Sequence, residues 1–436
     1  MRKFVGRERD LKTLHQKLQQ CDRGVVISPV ATVTGMGGIG KTELALQYAL
    51  RKNQNSDYSG GICWLNAREE NIATQIINYA RVQLKLNPPD DLPLKDQVAY
   101  CWRNWNYTGD ILVVFDDITS YENIEGLLPP SEPPKFKIII TTRSQILGQQ
   151  FEQLDLEVLD EDSSLDLLRS LIDFHRIEKE LDIAKLLCKQ LGYLPLGLEL
   201  VGKYLAVKQS LSLSEMQERL EKKGLDHKSL VKREDIIITA KRGVKAAFEL
   251  SWSELRKEAK ELASFLSLFA VTPISWNLVK QCLPGEDEED LEDIRDYELV
   301  KLSLLQETNE RTYQLHELIH QYFEAKLENN EIAEQLKSQF CQGMVIEAQK
   351  IPKTPTLSDI EQINLSIPHI VRSATDFKQY LKDDDLISPF TGLGRFYEGQ
   401  GAYEQALPWS DRCLSEAKKR FGDEHLNVAT SLKNLA

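Results

Sequence analysis

The stretch "VATVTGMGGIGKTELALQYALR", residues 30–51, decides the fold of this chain. Its apolar start, "VATVTG" (30–35), predicts a strand, and "KTELALQYALR" predicts a helix. Between them "GMGGIGKT" (35–42) fits the pattern G-x-x-x-x-G-K-[S/T] at every fixed position. Glycines let backbone N–H groups turn inward around phosphate oxygens, at the positive end of the helix that follows. The sequence therefore predicts a phosphate-binding loop between a strand and a helix.

Residues around this loop alternate between apolar runs and helical patterns. The runs that end in polar residues are "GICWLNA" (61–67), "ILVVFDD" (111–117) and "KIIITTR" (137–143), and "LDLEVL" (154–159) is a weaker candidate. Continuous apolar runs are typical of strands in a parallel sheet that helices cover on both faces. We therefore predict an α/β nucleotide-binding domain over residues 1–160.

The ends of these strands supply candidate catalytic and metal-binding residues. Lys41 is expected to neutralise the β- and γ-phosphates, and Thr42 to offer its hydroxyl to Mg²⁺. Asp116 would hold the Mg²⁺ shell, while Asp117 could orient or deprotonate a water molecule. After the next strand, Thr142 and Arg143 are predicted to point into the same crevice. Arg143 is a candidate for contacting the terminal phosphate, and a surface salt bridge is the alternative.

The remainder of the chain reads as helical modules. We predict a helical domain over 161–235, a winged-helix domain over 236–325, a helical connector over 326–385 and a repeat array over 386–436. Two β-like runs, "LVKLSLL" (299–305) and "RTYQL" (311–315), suit the winged helix. A pattern of apolar and small residues near 390 recurs 42 residues later, which indicates a helical-hairpin solenoid. Because the second unit is barely begun, we expect the chain to be cut from a longer protein.

Composition limits the functions that are possible. The net charge of −13 argues against nucleic-acid and anionic-membrane partners. Seven cysteines without a CxxC pair indicate reduced thiols, so we expect a cytoplasmic protein. No apolar run is long enough to span a bilayer, and the charged start does not resemble a signal peptide.

One further motif suggests a competing function. "HELIH" (316–320) matches the zinc-peptidase pattern H-E-x-x-H, in which His316 and His320 would bind zinc and Glu317 would act as general base. The third ligand of the extended pattern is missing, because Phe323 and Lys326 occupy its positions. Glu347 could serve instead. The zinc peptidase stays open as an alternative, although it leaves "GMGGIGKT" unexplained.

Five motifs in order, "FVGRERDL" (4–11), "GMGGIGKT", "VVFDD", "ITTR" and "GYLPLGLEL", resemble those of the NB-ARC class of STAND signalling ATPases. The resemblance covers residues 4 to about 325. The tail resembles a tetratricopeptide (TPR) array of the kinesin-light-chain type. The resemblance implies a switch that is locked by ADP, opens and oligomerises on exchange for ATP, and resets by slow hydrolysis. It also implies a protein or peptide ligand bound by the repeats.

The resemblance assigns further residues to the nucleotide. Val5, Gly6 and Arg7 correspond to a motif that lines adenine and ribose, and Pro195 to a proline that packs on adenine. His316 corresponds to the histidine of the "MHD" motif, which contacts the β-phosphate of ADP, although Glu317 replaces the aspartate. The full set expected to contact ATP or ADP is Val5, Gly6, Arg7, Gly35, Gly37, Gly38, Ile39, Gly40, Lys41, Thr42, Glu43, Pro195 and His316. A conventional ATPase with continuous turnover and a passive repeat scaffold are competing functions that also stay open.

Overall fold

The protein is represented by a computed structural model, which describes residues 4–20, 24–29, 38–68, 71–89, 91–130, 136–142, 151–224, 236–328 and 330–435. These residues group into two compact units, each assembled from segments that are distant in sequence. The first unit comprises Met1–Ala67, Trp102–Lys260 and Asp296–Leu304. The second comprises Arg68–Cys101, Glu261–Arg295 and Leu305–Ala436.

A five-stranded parallel sheet forms the centre of the first unit. Its strands are β1 (Gly24–Pro29), β2 (Ile62–Asn66), β3 (Ile111–Ile118), β4 (Phe136–Thr142) and β5 (Glu152–Leu156). Their order is β2-β3-β4-β1-β5, and each neighbouring pair is parallel. The predicted α/β fold is confirmed, and four of the predicted strands occur with slightly shifted bounds. The fifth, 30–35, lies outside the described residues, and β1 arises from the preceding run "GVVISP", which was not predicted.

Burial explains why these runs form the inner strands. Every residue from Ile111 to Phe115 is fully buried, as a strand covered on both faces requires. Helices α1 (Glu8–Gln20) and α2 (Lys41–Gln54) pack against the sheet. In α1 the buried residues are Leu11, Leu14 and Leu18, whose spacing places them on one face of the helix.

Helices make up the rest of the first unit. They are α5 (Glu161–Leu171), α6 (Phe174–Lys179), α7 (Leu181–Gln190), α8 (Pro195–Val207), α9 (Leu213–Gly224) and α10 (Ile236–Glu254). Helix α8 is buried along most of its length and packs against α5 and α10. A Cβ atom on Gly202 of α8 would lie 2.6 Å from Leu171 Cδ1, so the close approach of α5 requires glycine there.

The second unit begins with α3 (Ile72–Val82) and most of α4 (Leu94–Arg103). It continues through α11 (Lys257–Leu266), α12 (Trp276–Cys282), α13 (Glu288–Asp293) and α14 (Glu317–Leu327). A small antiparallel sheet accompanies these helices, with the order β6 (Ile274–Ser275), β8 (Thr312–Gln314), β7 (Gln306–Asn309). Helices followed by a β-hairpin agree with the predicted order of elements in this region.

One predicted strand of this region is wrong. "LVKLSLL" (299–305) contains the end of a π-helical turn, Ile294–Val300, followed by further turns, and the strand β7 starts only at Gln306. All four leucines of the run are buried in this turn conformation. The hairpin is instead formed by the exposed polar residues of β7, and Arg311 adopts a left-handed backbone with φ of 55° at its tip. An apolar run alone does not distinguish a buried strand from a buried turn.

The C-terminal part of the second unit consists of helices. They are α15 (Ala333–Gln349), α16 (Leu357–Ile363), α17 (Ile367–Thr375), α18 (Ser388–Gly399), α19 (Tyr403–Phe421) and α20 (Leu426–Leu435). Helices α18 and α19 form a hairpin, with Gly401 at φ of 73° in the turn, and α20 packs on α19. This agrees with the predicted helical hairpins, while Ala436 lies outside the described residues. The predicted domain limits remain predictions. No helix in the described ranges has the length and apolar character needed to cross a membrane.

Candidate functional site

The glycine-rich loop joins helix α2 through two residues in the left-handed region. Gly38 and Gly40 have φ of +81° and +96°, where a residue with a side chain would be strained. Helix α2 starts at Lys41, whose side chain is buried, and Leu44 N donates to Gly40 O at 2.9 Å. The N-terminal turn of α2, the positive end of the helix, therefore lies where the loop ends, as an anion site requires.

Asp116, at the end of β3, receives two hydroxyl hydrogen bonds on one oxygen. Thr42 Oγ1 donates to Asp116 Oδ1 at 2.9 Å, and Thr141 Oγ1 donates to the same atom at 2.5 Å. Asp116 is only 4% exposed. The structure thus brings together Thr42 and Asp116, the two residues predicted to hold Mg²⁺. A hydroxyl has two lone pairs besides its proton, so Thr42 can donate to Asp116 and still ligate a cation.

A bulge separates Asp116 from the rest of β3. The pairing between β3 and β4 shifts between Phe115 and Ile118, and Asp117 has φ of 57°. Its amide leaves the regular ladder and donates to Thr141 Oγ1 at 2.8 Å. The bulge places Asp116 and Asp117 in succession at the edge where ligands bind in parallel sheets.

The predicted direction of Thr142 is wrong. Its hydroxyl donates to Ile118 O at 2.6 Å inside the sheet, and the side chain is completely buried. Thr141 makes the contact with Asp116 instead. Successive residues of a strand face opposite sides, so only one of the two threonines can reach Asp116. The alternation of side-chain direction along the strand "KIIITTR" was the feature of the sequence that could have identified Thr141.

Arg7 has a different contact from the one that the sequence suggested. Its guanidinium donates to Ile39 O at 3.0 Å, to Glu157 O at 2.8 Å and to Asp10 at 3.0 Å. Burial lowers the pKa of Arg7, and the nearby Asp10 partly offsets this. Arg7 therefore ties the phosphate loop to the segment that follows β5. Its neighbours Val5 and Gly6 precede it on the same short stretch, with Gly6 at φ of 79°.

Helix α8 meets the loop at its own N-terminus. Pro195 occupies the first turn of α8, and Leu196 N donates to Gly38 O at 3.4 Å. A Cβ atom on Gly38 would lie 2.9 Å from Leu196 Cβ, so the approach is close. The structure thus brings the start of α8, with Pro195, beside the phosphate loop. The contact of Leu196 with the loop was not predicted. The position of Leu196 next to Pro195 was the feature of the sequence that could have indicated it.

The other predicted residues are placed less specifically. Ile39 is completely buried, and Glu43 is exposed and accepts a hydrogen bond from Gln47 at 2.9 Å. Gly35, Gly37 and Arg143 lie outside the described residues.

His316 belongs to the second unit, where it caps helix α14. Its Nδ1 accepts a hydrogen bond from Leu318 N at 3.2 Å. The next residue, Glu317, forms an ion pair with Arg68 and accepts from Gln321 Nε2 at 3.1 Å. The sequence left the contact of Glu317 undetermined, and the structure assigns it to Arg68. No local pattern links residues that are so distant in sequence.

His320 faces the interior of the second unit. Its Nε2 lies 2.8 Å from Phe269 O and 2.9 Å from Arg372 Nη1. Arg372 also donates to Phe269 O at 2.8 Å and to Glu324 at 2.6 Å. Burial lowers the pKa of His320, and Arg372 contributes to the same direction. His320 therefore has a structural environment, with a cationic guanidinium next to its Nε2 atom.

These contacts disfavour the zinc-peptidase alternative. His316 caps the helix with Nδ1, Glu317 is paired with Arg68, and His320 lies against Arg372. Glu347, the candidate third ligand, is bound by Lys350 at 2.5 Å and by Ser366 at 2.9 Å. Within the described ranges, no group of three His, Cys, Asp or Glu residues is arranged to hold a metal ion.

Comparison with known proteins identifies the first part of the chain. The model of the NB-ARC domain family matches residues 7–176, which confirms the resemblance seen in the motifs. The regulatory protein AfsR of Streptomyces griseus is 25% identical over 338 residues, which cover 75% of this chain and 33% of AfsR. A putative disease resistance protein of Arabidopsis thaliana is 28% identical over 227 residues, covering 47% of this chain and 24% of that protein. The chain thus spans a third or less of the length of these curated relatives.

Among solved structures, a similar chain is a STAND protein (Signal Transduction ATPase with Numerous Domains) with a tetratricopeptide repeat sensor, from Pyrococcus horikoshii. Its TM-score is 0.51 at 18% identity, and the match covers 99% of this chain and 64% of that one. At this identity the likeness shows the fold. The two chains share a parallel α/β nucleotide-binding fold followed by a helical region.

Proposed function

We propose that this chain, whose residues 7–176 form an NB-ARC domain, acts as a nucleotide-dependent signalling switch. In the proposed cycle ADP holds a closed state, and exchange for ATP favours an open state that self-associates. Slow hydrolysis of ATP then restores the closed state.

The observation that carries this proposal is the hydrogen bond of 2.9 Å between Thr42, in the first turn of α2, and Asp116, at the end of β3. It joins a hydroxyl of the phosphate loop to a buried carboxylate at the edge of the sheet. A hydroxyl and a carboxylate are oxygen ligands, which Mg²⁺ prefers. This pair fits the cation that accompanies a nucleoside triphosphate.

Each residue of the site has a defined part in the proposal. Gly40, where an added Cβ would meet no atom within 4 Å, leaves room for phosphate oxygens near the loop backbone, and Lys41 would offset their charge. Mg²⁺ held by Thr42 and Asp116 would supply further charge neutralisation. Asp117 is proposed to orient the attacking water molecule. Thr42 belongs to one element and the two acids to another, so their alignment depends on the packing of α2 on the sheet.

The remaining contacts are proposed to shape the base end of the site. Pro195, at the start of α8, is proposed to pack on adenine, and Val5 and Gly6 are proposed to line the adenine and the ribose. Arg7 is proposed to act indirectly, because its guanidinium already binds Ile39 O and Glu157 O. It would fix the loop backbone against the segment after β5. This differs from a direct contact with ribose.

The lock is assigned to His316, in the manner that the family resemblance implies. Shifting a two-state population from 1:99 to 99:1 requires about 5.5 kcal/mol of differential binding. One hydrogen bond to a charged group contributes about 1.5–3 kcal/mol. A single His316 contact is therefore too weak alone. Contacts within the assembled state, or ligand binding to the C-terminal helices, must supply the rest.

The remaining modules are proposed by analogy. We assign the β-hairpin region before α14 to a winged helix and the α18–α20 helices to TPR-type repeats that bind a protein or peptide. The names of similar proteins (regulatory, disease resistance, STAND with a repeat sensor) agree with a signalling role. The six described free cysteines are buried thiols, which agrees with a reducing, cytoplasmic setting.

The proposal is tested on purified protein. Heat denaturation should release ADP, which chromatography of the supernatant identifies, and nucleotide-stripped protein should bind ATP and ADP in the presence of Mg²⁺. Protein that is isolated without nucleotide and binds neither would refute the switch. A steady-state hydrolysis rate well above about one per second would instead support the conventional ATPase.

A further inference from the structure

We propose that Thr141 is a positioning residue that holds Asp116 and Asp117 in place for the Mg²⁺ ion of the bound nucleotide. This inference rests on the proposed function and gives a role to Thr141, the residue of "ITTR" that received none from the sequence. Thr141 lies in β4, whereas both acids lie at the end of β3.

The hydroxyl of Thr141 bridges the two acids. It donates to Asp116 Oδ1 at 2.5 Å and accepts from the main-chain amide of Asp117 at 2.8 Å. A hydroxyl has one proton to donate, so its direction is fixed by these two contacts. Thr141 is 1% exposed, and a β-branched side chain has a restricted χ1 angle. The bridge is therefore rigid.

The bridge is needed because the backbone beneath it is irregular. Asp117 has φ of 57°, which is uncommon for a residue with a side chain and persists only where the surroundings fix it. On the opposite side of the strand end, Ala67 N donates to Asp116 O at 3.0 Å. Thr141 and Ala67 together fix the main chain on both sides of the bulge. Asp116 is thereby directed at Thr42.

The chemistry of the bridge suits a cation site. Thr42 and Thr141 donate to the same oxygen of Asp116 through neutral hydroxyl groups. These two hydroxyl groups orient the carboxylate and bring no charge of their own to the site. Thr141 should therefore affect the contribution of Mg²⁺ to nucleotide binding. Thr141 should have little effect on the part of the nucleotide affinity that comes from contacts with the phosphate loop and with the adenine.

The neighbouring residue provides a matched control. Thr142 is equally buried, lies on the same strand and donates one hydrogen bond of 2.6 Å, but to Ile118 O. Thr141→Val and Thr142→Val each remove one buried hydroxyl while keeping the β-branched shape. If the loss of a buried hydroxyl only disturbs the structure, both variants should change ADP binding alike. If Thr141 acts on the Mg²⁺ ion, only Thr141→Val should reduce the Mg²⁺-dependent affinity.

The experiment is calorimetric titration of the nucleotide-stripped protein with ADP, in excess EDTA and in excess MgCl₂. We expect Thr141→Val to bind ADP with the wild-type affinity in EDTA. The increase in ADP affinity that Mg²⁺ produces should be about tenfold or more smaller than in the wild-type protein. Thr141→Ser should recover most of this gain, and Thr142→Val should keep it. If Thr141→Val does not fold, Thr141→Ala and Thr142→Ala make the same comparison.

A full Mg²⁺-dependent gain in Thr141→Val, or an equal loss in Thr142→Val, would overturn the inference. Failure of the wild-type protein to bind ADP or ATP in either medium would refute the proposed function itself, and this inference with it. The two failures are therefore distinguishable.

Discussion

Asp116 and Glu317 are both acids that sequence motifs single out, yet the structure surrounds them differently. Asp116 accepts hydrogen bonds from the neutral hydroxyls of Thr42 and Thr141. Glu317 forms an ion pair with Arg68. The first two contacts orient a carboxylate through neutral donors, while the third pairs a carboxylate with a cationic side chain of the protein. A motif therefore predicts chemistry only together with the partners that the fold provides.

The histidines of "HELIH" extend this comparison. On a helix, His316 and His320 would share a face, but His316 precedes α14 as its cap and His320 lies against Arg372. The pattern occurs here because a cap residue and a buried helix residue happen to be four positions apart. The predictions below test the nucleotide site of the first unit and side-chain contacts within the second unit.

The largest effect is expected at the phosphate loop. Lys41→Ala should weaken ADP and ATP binding by about 100-fold or more, because Lys41 neutralises phosphate charge. Isothermal titration calorimetry measures the effect. Lys52→Ala is the control, since Lys52 lies on the same helix but pairs with Asp57 at 2.6 Å. Equal affinities of the two variants would show that α2 does not bind phosphate.

A second effect is expected from the buried His369. Its Nδ1 accepts from Ala270 N at 3.1 Å and its Nε2 donates to Pro273 O at 3.2 Å, so the neutral ring is satisfied. Burial lowers its pKa from 6.5 to about 4. As the pH falls, the unfolded chain therefore binds the proton before the folded protein does. The contribution of the neutral ring to the free energy of unfolding is complete above about pH 6.5 and is lost toward pH 4, a decrease of about 3 kcal/mol.

Urea unfolding midpoints measured across this pH range test the prediction. His369→Gln should be less stable at neutral pH but show a weaker loss on acidification. His425→Gln changes an exposed histidine and should follow the wild type. Identical pH profiles for wild type and His369→Gln would contradict the assigned cause.

A third effect concerns Arg372, which joins α17 to α14. Arg372→Ala removes its bonds to Phe269 O (2.8 Å) and Glu324 (2.6 Å) and should cost about 2 kcal/mol. Thermal unfolding measures the cost. Arg412→Ala is the control, because Arg412 is exposed and only stacks 4.9 Å from the Trp409 ring centre, which is worth about 0.5–1 kcal/mol. Equal costs would show that Arg372 is not a structural hub.

The smallest effect is expected for the ion pair of Glu317. Its side chain and that of Arg68 are 16% and 25% exposed, so a double-mutant cycle with Glu317→Gln and Arg68→Gln should give a coupling of about 1 kcal/mol. Zinc analysis of the wild-type protein accompanies this cycle. Stoichiometric zinc together with no coupling would revive the peptidase alternative.

Much of the fold could be predicted because its signals are local. Continuous apolar runs gave four strands of the parallel sheet, and the loop motif placed α2. The misses arose where local signals are ambiguous. "LVKLSLL" is as apolar as a strand but forms turns, and the run "GVVISP", which forms β1, was not predicted.

The candidate site likewise contains residues that the sequence identified and contacts that it did not predict. The sequence identified Thr42 and Asp116, which the structure brings into contact, and Pro195, which lies beside Gly38. It did not indicate that the Arg7 side chain donates to Ile39 O and Glu157 O. The direction of a long, flexible side chain depends on the carbonyls that packing brings near, and no motif encodes them.

The sequence by itself determined the loop chemistry, the parallel α/β domain and the match of residues 7–176 to the NB-ARC model, because glycine conformations, helix starts and buried strands depend on neighbouring residues. Only the tertiary structure decided that Thr141 rather than Thr142 holds Asp116, that Glu317 pairs with Arg68, and that Arg372 occupies the place beside His320. These choices depend on a β-bulge and on contacts between residues far apart in the chain. Their energies arise only when the segments are packed together.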